Sequence, residues 1–216
     1  MKAFTLPFLA VASLFTLGAS AQTDTAVRLN FPTQKGGWTI GSSLVVGELA
    51  FGSTDSRYRI AGSYNVSLNP KAGYFIKDNL LIGGTLRANV VGNSFGSKDF
   101  SNYHSRSIGA GIFARQYFGK GTMKDGSLRK MRYFLEGGVD VSKGWSNWRS
   151  SDSTTERTNF SIASIHVMPG FNYFFSKNVA LEGGINISHM ATSKNVIGNA
   201  NHIGINLGLQ IFLGKR

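Results

Sequence analysis

The sequence predicts an all-β protein, an eight-stranded antiparallel up-and-down transmembrane β-barrel, and three observations predict it. The first is the closing stretch, residues 202–216. Ile203, Ile205, Leu207, Leu209, Ile211 and Leu213 share one face, while His202, Gly204, Asn206, Gly208, Gln210 and Phe212 share the other. Apolar residues at period two mark a strand, because successive side chains point to opposite faces. A greasy face backed by glycine and polar groups suits a strand with lipid outside and a narrow polar lumen inside. The second observation is that this pattern recurs along the chain. The third is an N-terminal export signal.

That signal opens with Met1-Lys2, continues through an apolar run from Phe4 to Leu17, and ends in the small-residue site Ala19-Ser20-Ala21. The run is shorter than the roughly 20 apolar residues of a spanning helix, and a cleavage site follows it. Residues 1–21 are therefore expected to be a cleaved signal peptide, with Gln22 opening the mature chain. Residues 22–37 are polar and without period, and are expected to be a short periplasmic leader. Residues 38–216 are expected to be the barrel, with no further domain.

Composition narrows the function classes. The chain has no cysteine, so neither a disulfide nor a thiolate metal site is available. Its formal charge is +12. In a cytoplasmic protein that would suggest nucleic acid, but export points instead to anionic lipid and lipopolysaccharide as neighbours.

The first strand is expected over residues 38–51, with Ile40, Leu44 and Val46 on one face and Gly41, Ser43 and Gly47 on the other. Glu48 falls on the apolar parity, so either it lies beyond the lipid or a bulge resets the register. Residues 52–57 (GSTDSR) read as a loop. The second strand, about 58–76, carries Tyr64, Val66, Leu68 and Tyr74 outward and Asn65, Asn69, Lys71 and Gly73 inward. Lys77-Asp78-Asn79 reads as a three-residue turn, since Asn tolerates the left-handed conformation. The third strand places Leu80, Ile82, Leu86 and Val90 outward and Gly83, Thr85 and Arg87 inward.

A polar loop is expected over 92–104, then a fourth strand over about 105–118. Ile108, Ala110 and Ile112 face outward there, and Gly109, Phe113, Arg115 and Tyr117 inward. Residues 119–130 form a basic connection. The fifth strand, about 131–145, points Tyr133, Leu135, Val139 and Val141 outward and Glu136, Gly138 and Asp140 inward. After a loop over 146–158, the sixth strand (about 159–175) points Ile165, Val167, Phe171 and Tyr173 outward and His166 and Asn172 inward. Pro169 removes a ladder donor, so a local bulge is expected there. Ser176-Lys177-Asn178 repeats the three-residue turn. The seventh strand carries Val179, Leu181 and Ile185 outward and Glu182 and Gly184 inward. Residues 192–200 are the last loop.

An even strand number lets an antiparallel barrel close without an exposed edge in lipid. Tight turns at Lys77 and Lys177 alternate with longer polar loops, as periplasmic turns and external loops do. Tyr74, Phe75, Tyr117, Phe118, Tyr133, Phe134, Tyr173, Phe174, Phe175 and Phe212 all fall at the turn-side strand ends and are expected to form an interfacial girdle.

With these residues in view, the chain resembles the small bacterial outer-membrane β-barrel family, the OmpA/OmpX-like eight-stranded type. The hairpin NPKAGYFIKDNLLIGG, the glycine-spaced strands and the closing strand GINLGLQIFLGKR carry the resemblance. It implies location in the bacterial outer membrane with both termini periplasmic, periplasmic chaperones and the barrel-assembly machinery as biogenesis partners, and a monomer. Many such barrels end on an aromatic residue that the assembly machinery reads. Here Phe212 is followed by Leu213-Gly214-Lys215-Arg216.

The candidate site is the inward charge set Arg87, Arg115, Glu136, Asp140 and Glu182. The tight turns place Arg87 opposite Asn69 and Glu182 opposite Asn172, and a symmetric 119–130 connection would place Arg115 near Glu136. A barrel of this size is filled by side chains, so its charges must pair. The bland reading is a salt-bridge network plugging the lumen, and the sharper one a narrow, gated ion pathway. Histidine spacing offers no metal motif, and neither a cofactor nor a catalytic residue is expected. SHMATSKN loosely resembles the His-Ser stretch of barrel lipid A deacylases, but Ala191 stands where their nucleophile would be. Lys120, Lys124, Arg129, Lys130 and Arg132 are expected at phospholipid headgroups or in water, and Phe95, Tyr103, Trp148 and Arg149 in external loops. The expected function is a non-enzymatic structural or loop-mediated role, with a porin-like channel or a lipid A-modifying enzyme as alternatives.

Overall fold

A computed structural model describes residues 32–51, 63–93, 102–119, 121, 129–149, 155–192 and 200–213. The expected signal peptide, most of the leader, and residues 52–62, 94–101, 120, 122–128, 150–154, 193–199 and 214–216 lie outside them.

Eight strands form one closed antiparallel barrel: β1 (Trp38–Phe51), β2 (Ser63–Lys77), β3 (Leu80–Asn93), β4 (Asn102–Tyr117), β5 (Met131–Arg149), β6 (Thr155–Phe174), β7 (Val179–Thr192) and β8 (Ala200–Leu213). Each strand pairs with its sequence neighbours, and β1 pairs with β8. Closure leaves no unpaired edge, as lipid requires.

The alternation sorts as the sequence predicts. Ile108 and Ile112 are 66% and 67% exposed on the outside, whereas Arg115 and Glu182, on inward positions, are 0% exposed. An apolar exterior around a polar interior is the inverse of a water-soluble barrel, and it fits a lipid surround. Tyr133 and Trp145 stand on the outer face of β5. Their separation of twelve residues, at about 3.3 Å each and a tilt of about 40°, is roughly 30 Å along the barrel axis. That is enough to flank a membrane.

Some expectations are corrected. β4 begins at Asn102, β5 runs on to Arg149 and β6 starts at Thr155, so the loops expected over 92–104 and 146–158 are partly strand and His104 lies in β4. Both faces are polar there, which erases the alternation while the ladder continues. The first hairpin is tighter than expected: Lys77 pairs with Leu80 around Asp78-Asn79, Asn79 has φ 67°, and the register shifts between Phe75 and Lys77. That shift restores the expected ladder, so Arg87 still falls opposite Asn69. The register is unchanged across Pro169, from Val167↔Ile187 to Gly170↔Gly184, so no bulge forms there. A register shift of the kind a bulge makes does occur in β1, between Val46 and Glu48.

The aromatic girdle is also corrected. Trp38, Tyr133 and Phe175 do face outward at the turn end. Phe75, Tyr117, Phe134, Phe174 and Phe212, however, are buried inside with Leu81, Phe113, Met168 and Ala180. Their parity is inward, so they form an interior layer at that end. Phe212 packs on Phe174 and Phe75, with ring centroids 5.0 and 6.4 Å apart. Offset or tilted contacts of this kind are favourable for aromatic quadrupoles.

Candidate functional site in the barrel lumen

All five predicted charges lie inside the barrel, in two connected groups. The first is built on Glu182. Its carboxylate accepts hydrogen bonds from Lys71 Nζ at 2.7 Å, Asn206 Nδ2 at 3.0 Å and Gln210 Nε2 at 2.6 Å, and pairs with Arg115 Nη1 at 2.7 Å. Donors from β2, β4 and β8 thus converge on one carboxylate of β7. Arg115 also donates to Glu136, through Nε at 2.7 Å and through Nη2. That pair follows from local register, since Arg115 is opposite Glu136. The guanidinium carbon lies 3.9 Å from the centre of the Phe134 ring, a cation–π contact. Tyr117 Oη donates to Asn172 Oδ1 at 3.1 Å, joining this group to the aromatic layer.

The second group is built on Asp140. Arg87 approaches it at 3.3 Å, Ser164 Oγ donates to it at 3.2 Å, and His166 Nδ1 lies 3.1 Å away. His166 Nε2 is 3.8 Å from Glu136, so the histidine bridges the two groups. The ion pairs join three cations (Lys71, Arg87, Arg115) to three carboxylates (Glu136, Asp140, Glu182). The local charge balance is what burial in low dielectric demands. A cavity of about 30 Å³ adjoins them, lined in part by Asn69, Lys71, Arg87, Glu136 and His166.

Glycines make room for the large groups. A Cβ on Gly138 would stand 2.6 Å from the His166 ring and 2.6 Å from the Ile112 carbonyl oxygen. One on Gly111 would stand 2.3 Å from Asp140 Oδ1. Both inward glycines lie beside a bulky inward residue of the neighbouring strand.

Three further residues join the interior beyond the predicted set. The alternation puts Lys71 on the inward parity but gives it no partner. It likewise puts His166 in the lumen without a partner. Arg132, expected at headgroups or in water, is 2% exposed: its Nη1 donates to Thr33 Oγ1 and its Nη2 to Asn79 Oδ1, each at 2.9 Å. Residues 33–37 are tied to the turn end as well. Asn79 N donates to the Thr33 carbonyl at 2.8 Å, and Gly36 N to the Phe75 carbonyl at 2.9 Å. The even number of Arg132 in β5 was the available signal. His189 shares the outward parity of Ile185 and Ile187 on β7, with Nδ1 2.8 Å from Asn201 Oδ1. No cluster of metal-ligating side chains occurs among the described residues.

A closed eight-stranded barrel, apolar outside and charged within, can be set against known structures. Ail, the attachment invasion locus protein of Yersinia pestis, superposes with a TM-score of 0.51 at 13% identity, over 83% of this chain and all (100%) of that one. The chain has the fold of the small outer-membrane barrels. The outer membrane protein OprG from Pseudomonas aeruginosa also superposes at 0.51, with 10% identity, over 86% of this chain and 100% of OprG. No protein-family model matches the chain, and no curated protein matches it. At these identities the likeness concerns the barrel itself, not its loops or its role.

Proposed function

We propose that this barrel resides in the bacterial outer membrane as a monomer with its tight turns in the periplasm, and that it acts without catalysis, through its external loops or as a structural element. In this reading the lumen is closed to ions by the charge network above and the aromatic layer below. The observation that carries it is Glu182, 0% exposed and engaged by Lys71, Arg115, Asn206 and Gln210 from three other strands. To open a path, an ion would have to displace at least one partner from a buried, charge-balanced cluster, which costs several kcal/mol. A loop-mediated role accords with the name of the Yersinia barrel, an attachment invasion locus protein.

The test is potassium flux from liposomes holding the refolded barrel, with folding checked by heat-modifiable gel mobility. Folded barrel that leaves the liposomes tight supports a closed lumen. Flux proportional to the amount of folded barrel overturns it and favours the channel reading, to which the cavity beside Arg87 would then belong.

A further inference from the structure

The outer wall carries its described cations unevenly. At the loop end, Arg106 on β4, Lys143 on β5 and Arg157 on β6 all stand exposed on outward positions. The ladders gather them into one patch: Arg106 is opposite Trp145, Lys143 is opposite both Ile108 and Ser161, and Arg157 is two residues from Asn159, the partner of Trp145 on the neighbouring strand. The Arg157 guanidinium lies 5.5 Å from the centre of the Trp145 ring, which holds it against the wall at the interface. Among the residues of these three strands whose side chains are described, the carboxylates are Glu136 and Asp140, and both are buried in the lumen.

Directly towards the membrane centre from Lys143 and Ser161 lies an apolar groove of about 590 Å³. Ile108, Val141, Ala163 and Ala191 line it. The ladders join Ala110, Val141, Ala163 and Ala191 in one row across four strands, and the alanines hollow the wall there. Cations at the interface above and a hollow in the lipid zone below are the two halves of an amphiphile's binding site.

We propose that this patch is a binding site for a phosphorylated glycolipid of the lipid A type, with its phosphates on Arg106, Lys143 and Arg157 and an acyl chain in the groove. The inference rests on the outer-membrane reading above, with the loop end outside, because that orientation sets the patch in the leaflet where such glycolipids reside. Phosphate is the matching chemistry. Arginine offers a planar fork to its oxygens, and lysine a point charge. A neutral glycolipid would leave three cations at the interface without partners, and a soluble polyanion would not use the groove.

The experiment is native mass spectrometry of the full mature barrel, refolded in detergent and titrated with purified lipid A, its dephosphorylated form and phosphatidylglycerol. The variant is R106Q/K143Q/R157Q, with K35Q/K77Q/K130Q at the opposite end as control. Lipid A should bind the wild type and the control alike. Binding to the triple patch variant should weaken on the order of a hundredfold, given the contribution of each interfacial cation to anionic lipid binding. Equal affinity for the dephosphorylated form, or no loss in the patch variant, overturns the site. Phosphatidylglycerol binding as tightly as lipid A overturns the assignment to a glycolipid. Heat-modifiable mobility and vesicle insertion are read on the same samples. A chain that fails to insert refutes the membrane reading itself, whereas one that inserts and binds without the patch refutes only the site.

Discussion

Glu182→Gln tests the buried network directly. The substitution keeps the side chain's volume and removes one negative charge. In the native lumen, Glu182 answers Lys71 and Arg115 at 2.7 Å each. Without its charge, both cations must share Glu136, whose Oε1 is 3.7 Å from Lys71 Nζ. One positive charge is then uncompensated in a site where Arg115 is 0% and Lys71 8% exposed. Breaking one partner out of a buried pair costs about 3–5 kcal/mol. Because Glu136 takes up part of the load, the loss should fall near 3 kcal/mol, a large share of a typical total of about 5–15 kcal/mol. The assay is urea unfolding of the barrel in lipid vesicles, followed by tryptophan fluorescence and gel mobility. Adding Lys71→Met removes the unbalanced charge, so the double variant should lose less than the sum of the two single losses, by about 1–3 kcal/mol of coupling. A loss below about 1 kcal/mol for Glu182→Gln, or strict additivity with Lys71→Met, would refute the view that these charges are mutually dependent.

The other predictions concern fit and closure. Gly138→Ala should destabilise the barrel by about 1–3 kcal/mol, because its Cβ would meet both a ring and a fixed carbonyl, while Gly84→Ala, with its nearest neighbour at 3.7 Å, should be near neutral in the same unfolding assay. Phe212→Ala should cost about 3–5 kcal/mol through loss of the interior aromatic layer; a cost near zero would mean that the layer contributes no packing. Arg132→Ala should free the segment 33–37, and hydrogen exchange at the Gly36 and Asn79 amides should quicken while that at mid-strand amides stays unchanged.

Much of this architecture was legible in the sequence because a strand's alternation and its turn together fix both face and register. Glu182 opposite Asn172 follows from counting back from the hairpin at 176–178, and the ladder agrees. Arg115 near Glu136 rests on a symmetric 119–130 connection, and the ladder sets the two directly opposite. Counting cannot supply contacts across the lumen. Lys71 on β2 meets Glu182 on β7 only because the sheet closes, and no local pairing relates those strands. Parity also lost out where a second pattern competed with it. Phe75, Tyr117, Phe134, Phe174 and Phe212 occupy inward positions, yet their shared level suggested a membrane girdle. The outer ends of β5 and β6 were hidden for the opposite reason: once a strand leaves the lipid, both faces can be polar, and the period that announces it vanishes.

The closed lumen is tested most directly by single-channel conductance of the refolded mature barrel in a planar bilayer, with Arg115→Ala measured alongside it. A closed lumen predicts a silent bilayer for the wild type, with folding established independently, and at most rare openings once Arg115 is removed. Discrete, reproducible wild-type steps whose size changes in Arg115→Ala would contradict it, and would make the lumenal charges the gate of a pore.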